Sequence, residues 1–211
     1  MRVDGQDGAR MRRVQSAIAW VTLGAALSAC ARASTVPAAT QAAGATRAPM
    51  EIPESVGAFR RIAVRPVRGA PNDTNYRFDN GAGVGISVFR YAIPADVQRD
   101  RDTVAWIRRE GEKFPVVQRI LVSRGVADSM KVRLSMLNPA RPEFPLAEYV
   151  GVVQTWSARH GVMIESEYIY VVDGRFLKIR ASEPDAVEGK SEVAQFARQL
   201  LRSMLTAASA P

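Results

Sequence analysis

The stretch Tyr168-Ile169-Tyr170-Val171-Val172-Asp173-Gly174-Arg175-Phe176-Leu177-Lys178-Ile179-Arg180 decides how the chain is read. Two runs rich in aromatic and β-branched residues flank Asp173-Gly174, a pair suited to the positive φ values of a two-residue hairpin turn. Side chains alternate along a strand. Leu177 and Ile179 therefore point one way, and Phe176, Lys178 and Arg180 the other.

Working back from this hairpin, Leu146 to Ser157 forms a third strand of the same meander, joined to Val162–Val172 by a turn at Arg159-His160-Gly161. Asn138 to Pro145 is a proline-rich loop, and Asp128 to Leu137 is a strand. In it Met130, Val132, Leu134 and Met136 face inward, and Lys131, Arg133 and Ser135 outward. Before it, Val104, Ile107, Gly111, Phe114, Gln118 and Leu121 recur at helical steps. Asp100 or Asp102 can cap this helix, Gly125 can end it, and Pro115 must kink it or split it in two.

Earlier still, Phe59 to Val67, Asn75 to Phe78 and Val84 to Ile93 read as strands. In the first of these Phe59, Ala63 and Val67 share a side, and Gly69 to Thr74 is a loop. At the other end Ser191 can cap a helix with an apolar stripe of Val193, Phe196, Ala197, Leu200, Leu201 and Met204, fraying from Thr206. The sum is an α+β domain over 51–206, a mostly antiparallel sheet of about six or seven strands with two principal helices packed on it. Residues 207–211 are expected to be a disordered tail. The hairpin is similar to the late hairpin of small exported bacterial domains, many of them PsbP/Mog-like in fold. That resemblance implies binding of partners rather than catalysis, and it carries over no site residue.

The amino-terminal region gives an address. Arg12 and Arg13 precede an apolar run, Ala17–Ala29, whose 13 residues are too few to span a bilayer as a helix. Translation from Met11 gives a compact Met-Arg-Arg opening, whereas Met1 adds Asp4 and Asp7 and weakens the positive region. The run ends in Leu27-Ser28-Ala29-Cys30, which resembles the lipobox of bacterial lipoproteins. The resemblance implies that residues 1–29 are a signal peptide and that Cys30 receives a diacylglyceryl group and becomes the new amino terminus. The alternatives are an ordinary signal cut after Ala31-Arg32-Ala33, leaving a secreted protein, and a buried cytosolic thiol at Cys30. Ala31 stands where an Asp would be the familiar inner-membrane retention signal, so the resemblance points to the periplasmic face of the outer membrane.

Between Cys30 and the domain, residues 31–50 are mostly Ala, Thr, Ser and Pro with two arginines and no hydrophobic period, and are expected to be a disordered tether. Its coil average is about 25 Å and its full reach about 70 Å.

From Cys30 onward the formal charge is +6, compatible with a soluble domain and with attraction to anionic lipid head groups. Arg60, Arg61, Arg65 and Arg68 form one basic cluster, and Arg99, Arg101, Arg108 and Arg109 another, interleaved with Asp100, Asp102, Glu110 and Glu112. Nucleic acid is not expected as a partner, because no nucleic-acid motif is present. Cys30 is the sole cysteine, so no internal disulfide is available and the domain depends on its apolar core.

Groups for chemistry are few. His160, the sole histidine, sits in a turn, and no Gly-x-Ser-x-Gly elbow presents a serine to it. Glu165 and Glu167 share a strand face at about 7 Å, a spacing that suits acid–base hydrolysis of a glycoside or a metal site shared with His160. The plainer reading is a solvated pair facing Lys178 and Arg180. Asn80-Gly81-Ala82-Gly83-Val84-Gly85 lacks a phosphate-loop lysine and is a turn.

Trp106, Trp156, Arg108 and Arg109 are the candidates for a binding surface. The expectation is a non-enzymatic, lipid-anchored envelope protein with no cofactor, held to the membrane through Cys30 and binding a periplasmic protein. The alternatives are a periplasmic hydrolase using Glu165 and Glu167, and a carrier of a lipid or small apolar ligand.

Overall fold

Asp173 and Gly174 take φ values of 51° and 65°, the mirror-image turn that joins two right-twisted strands without splaying them. The computed structural model describes residues 51–67, 70–98, 102–142, 144–184 and 192–209. Residues 1–50, which hold the expected signal peptide, Cys30 and the expected tether, and Arg68, Gly69, Arg99, Asp100, Arg101, Ser191 and residues 210–211 lie outside the described residues.

The strands are β1 (Ser55–Val56), β2 (Phe59–Val67), β3 (Ala70–Asp79), β4 (Gly85–Ala92), β5 (Ser129–Asn138), β6 (Glu148–Ser157), β7 (Gly161–Val172) and β8 (Arg175–Pro184). The helices are α1 (Thr103–Gly111), α2 (Lys113–Ser123) and α3 (Glu192–Ser209). All eight strands form one antiparallel sheet in the order β1-β2-β3-β4-β8-β7-β6-β5. Two meanders therefore meet at β4 and β8, and α1 and α2 carry the chain from the centre of the sheet to its far edge. The α+β architecture is as expected, with eight strands rather than six or seven. The additional one is the two-residue β1, too short to show a period.

Four local details also differ from expectation. Ala70–Thr74 belongs to β3 instead of a loop. In β2 the pairing slips between Arg61 and Ala63, so Ile62 is the extra residue of a bulge and Phe59 and Ala63 fall on opposite faces. A second slip, between Val132 and Leu134, divides the apolar residues of β5 between both faces. The last helix continues through Ser209 without fraying at Thr206.

Pro115 splits the earlier helix as expected. Its ring conflicts with the carbonyl four residues back, and the break falls at Glu112, between α1 and α2. The Asp102 carboxylate caps α1 by accepting from the backbone N–H of Val104 at 2.9 Å and Ala105 at 3.0 Å. Gly125, at φ 70°, closes α2. There the N–H groups of Gly125 and Val126 return to the carbonyls of Val122 and Leu121, both at 3.0 Å.

The stripe of α3 covers one face, burying Val193, Phe196, Leu200, Leu201 and Met204 against β1–β4, β7 and β8. Phe196 meets the rings of Phe59 at 5.2 Å and Phe78 at 5.0 Å, both edge-on. On the other face Ile107 of α1 packs with Tyr149, Ile169 and Phe176. Here helix and sheet approach so closely that a Cβ on Gly111 would lie 2.4 Å from the Tyr149 ring.

Candidate functional site

Glu165 and Glu167 project from β7 beneath α1 and α2, where charge is expensive unless paired. Glu167 is 0% exposed. Its Oε2 accepts from Arg180 Nε across the β7–β8 ladder and lies 4.0 Å from Lys178 Nζ. Glu165, partly buried, accepts from Ser182 Oγ at 2.7 Å. Burial pushes the Glu165 carboxyl up from its usual range, opposed by the Ser182 hydrogen bond and by Arg180.

These groups continue into α1. Lys178 Nζ donates to Glu110 Oε1, and both residues are nearly out of water at 8% and 7% exposed. Tyr91 Oη and Lys113 Nζ also donate to Glu110, at 2.8 and 2.6 Å. Burial acts to raise the Glu110 carboxyl, but the charge of Lys178 and the donors from Lys113, Lys178 and Tyr91 hold it down at about 2. Burial, and then Glu110, push the Tyr91 hydroxyl far up, so it remains a donor. Lys178 also lies 5.3 Å from the centre of the Tyr91 ring, and Arg180 lies 5.9 Å from that of Phe114 on α2.

The carboxylate pair is thus part of a polar seam between helix and sheet, not the solvated strand face that alternation suggests. Arg180 and Lys178 are the partners of Glu167, whereas Glu165 lies opposite Ser182 and is bonded to it. Glu110, which sequence places among exposed interleaved charges, is drawn into the seam because the helical repeat turns it toward the sheet with Ile107. The arrangement can lock α1 to β8. Glu167 Oε1 and Gln118 Oε1 are buried acceptors with no donor among the described residues.

The four binding candidates are not brought together. Trp106 packs into the α1 core with its Nε1 buried, and Arg108 and Arg109 are exposed on the same helix. Trp156, 45% exposed, projects from the opposite face of the sheet, the one it shares with Val150 along β6. His160 is exposed in the β6–β7 turn, where its N–H donates to Ser157 Oγ at 3.0 Å.

Two further features escape a reading by motif. A depression of about 190 Å³ is lined by Asn72, Thr74, Tyr76, Arg90 and Arg175. Its arginines are engaged, Arg90 with Asp173 at 3.6 Å and Arg175 with Asp73 at 3.3 Å and the Asn72 carbonyl at 2.8 Å. The second feature is the rim formed by α2 and β5, where Val116, Ile120, Val132, Leu134 and Met136 stand exposed. The periodic pattern that marks β5 as a strand conceals this, because a period of two does not say whether anything covers either face.

No protein-family model and no curated protein sequence matches this chain. Among the described residues no group of three His, Cys, Asp or Glu side chains is placed to hold a metal, and no helix is long and apolar enough to cross a membrane.

Proposed function

We propose that this chain is a lipoprotein anchored at the periplasmic face of the outer membrane, whose α+β domain binds a partner and performs no catalysis. The observation that carries the reading is Leu27-Ser28-Ala29-Cys30 closing an apolar run behind two arginines. Each acyl CH₂ buried in the bilayer contributes about 0.8 kcal/mol, so two or three chains on Cys30 make release negligible.

The seam supports binding over hydrolysis. A general acid and its partner must reach a substrate, whereas Glu167 is enclosed and bonded to Arg180, and Glu165 is bonded to Ser182. The edge-on rings of Phe59, Phe78 and Phe196 fill the middle of the α3 interface, which weighs against a lipid carrier.

The test is Cys30→Ser in a Gram-negative host, followed by fractionation and by mass spectrometry of the wild-type amino terminus. The variant moves to the soluble fraction, and the wild-type chain begins at a lipid-modified Cys30. An unmodified thiol, or an unchanged membrane fraction, overturns the anchoring.

A further inference from the structure

Residues 113–142, which span α2 and β5, carry six Lys or Arg and one acid, Asp128. Asp128 is occupied, accepting from the Ala158 N–H at 2.7 Å. Arg119, Arg124, Lys131 and Arg133 are all exposed along this rim. Most of the large apolar side chains exposed among the described residues lie in the same place. Val116 and Ile120, four apart, form a stripe on the outer side of α2, with Arg119 beside Ile120.

The bulge in β5 shapes what this rim presents. Val132 pairs with Val153 on the side that α2 covers, and Leu134 and Met136 lie opposite Val152 and Val150 on the α3 side. Trp156 lies on that second side too. The apolar strip therefore wraps around the edge of the sheet instead of lying flat on one face.

We propose that the α2–β5 rim seats shallowly on an anionic phospholipid surface. Three observations select that occupant over a protein strand added to β5. Lys131, Arg133 and the bulge are the devices by which edge strands resist pairing. An apolar strip exposed on both sides of an edge fits penetration among head groups better than a flat protein contact. Arg119, Arg124, Lys131 and Arg133, exposed around an Asp128 that is already bonded to Ala158, complement an anionic leaflet. Seating is shallow because the outer N–H and C=O groups of β5 need water or phosphate oxygens and would go unsatisfied in hydrocarbon.

The proposal rests on the anchored reading for the nearness of the bilayer. A tether of 20 residues keeps the domain within about 25 Å of it on average. Anchor and rim then act as two linked contacts, and the rim fixes which side of the domain faces the periplasm.

The experiment uses the chain from residue 30 onward, with Cys30→Ser so that no lipid is attached. It is mixed with vesicles of equal parts phosphatidylglycerol and phosphatidylcholine, or of phosphatidylcholine alone. The chain sediments with the first and not the second, sedimentation falls with salt, and Trp fluorescence shifts to the blue. Lys131→Gln and Arg133→Gln each weaken binding by about fivefold, and Trp156→Phe abolishes the shift, with thermal unfolding showing each variant folded. Equal binding to both vesicles, or binding indifferent to these substitutions, overturns the proposal. Salt-dependent retention on polyglutamate without vesicle binding overturns it in favour of an acidic protein partner. Failure of the anchor is read separately, from the mass of Cys30 in native material.

Discussion

Lys178, in the middle of β8, donates its ammonium to the Glu110 carboxylate near the end of α1, tying the helix to the sheet by a buried ion pair. Removing one partner leaves the other charge in a place where water cannot solvate it. Glu110→Ala is expected to cost about 3–5 kcal/mol, whereas an apolar pair of similar volume, Glu110→Leu with Lys178→Met, is expected to recover most of that loss. Urea unfolding of the single and double variants checks this. A single variant as stable as the wild type would mean that the pair contributes nothing.

The same carboxylate sets an acid limit. Glu110 is held at about 2 against an ordinary 4.5, so its folded-state pKa lies below its unfolded one. Its contribution is present above the unfolded value and is lost as pH falls through the window from 4.5 to about 2. Stability measured by urea unfolding across that window should fall with pH, and Glu110→Gln should flatten the slope. An identical slope in the variant would assign the acid sensitivity elsewhere.

Gly111 offers a test of packing. A Cβ there meets the Tyr149 ring at 2.4–2.6 Å, and one at Gly151 meets Phe114 at 2.7 Å, so both glycines admit an aromatic ring into the helix–sheet gap. Helix propensity alone favours alanine over glycine by about 1 kcal/mol. Overpacking costs typically 1–3 kcal/mol. Gly111→Ala is therefore expected to lower the midpoint of thermal unfolding despite its better propensity. A raised midpoint would show that Tyr149 can move aside freely.

These residues also show which parts of the fold can be read from sequence. The Asp173-Gly174 turn, the stripe from Val193 to Met204 and the division at Pro115 are local, each set by neighbours within a few positions. The bulges at Ile62 and between Val132 and Leu134 are not, because an extra residue in one strand is visible only against its partner. Burial of Glu167 is less local still. It requires α1 and α2 to fold over β7, and a run such as Ile164-Glu165-Ser166-Glu167 looks the same with or without that cover. The exposed rim is the converse case, an apolar pattern that stands largely open among the described residues. Trp156 is a surface residue, but Trp106, equally prominent in sequence, is partly buried against the core beneath α1 with its Nε1 enclosed.

The two carboxylates of β7 should respond to the same substitution with opposite signs. Burial raises the Glu165 carboxyl above its ordinary value, so the fold favours its protonated form. That contribution is complete below the unfolded pKa and lost as pH rises through the folded one. At neutral pH Glu165→Gln keeps an acceptor for Ser182 and removes an unwanted charge, and is expected to stabilise the domain modestly. Glu167→Gln takes away the charge that faces Arg180 and Lys178 and is expected to cost about 3 kcal/mol. Chemical denaturation of both variants at neutral pH checks the contrast. A carboxylate retained for catalysis leaves a different signature, in which either variant abolishes turnover of a glycoside while stability stays level. Opposed stability changes with no turnover in the wild type identify Glu165 and Glu167 as parts of the seam that binds helix to sheet.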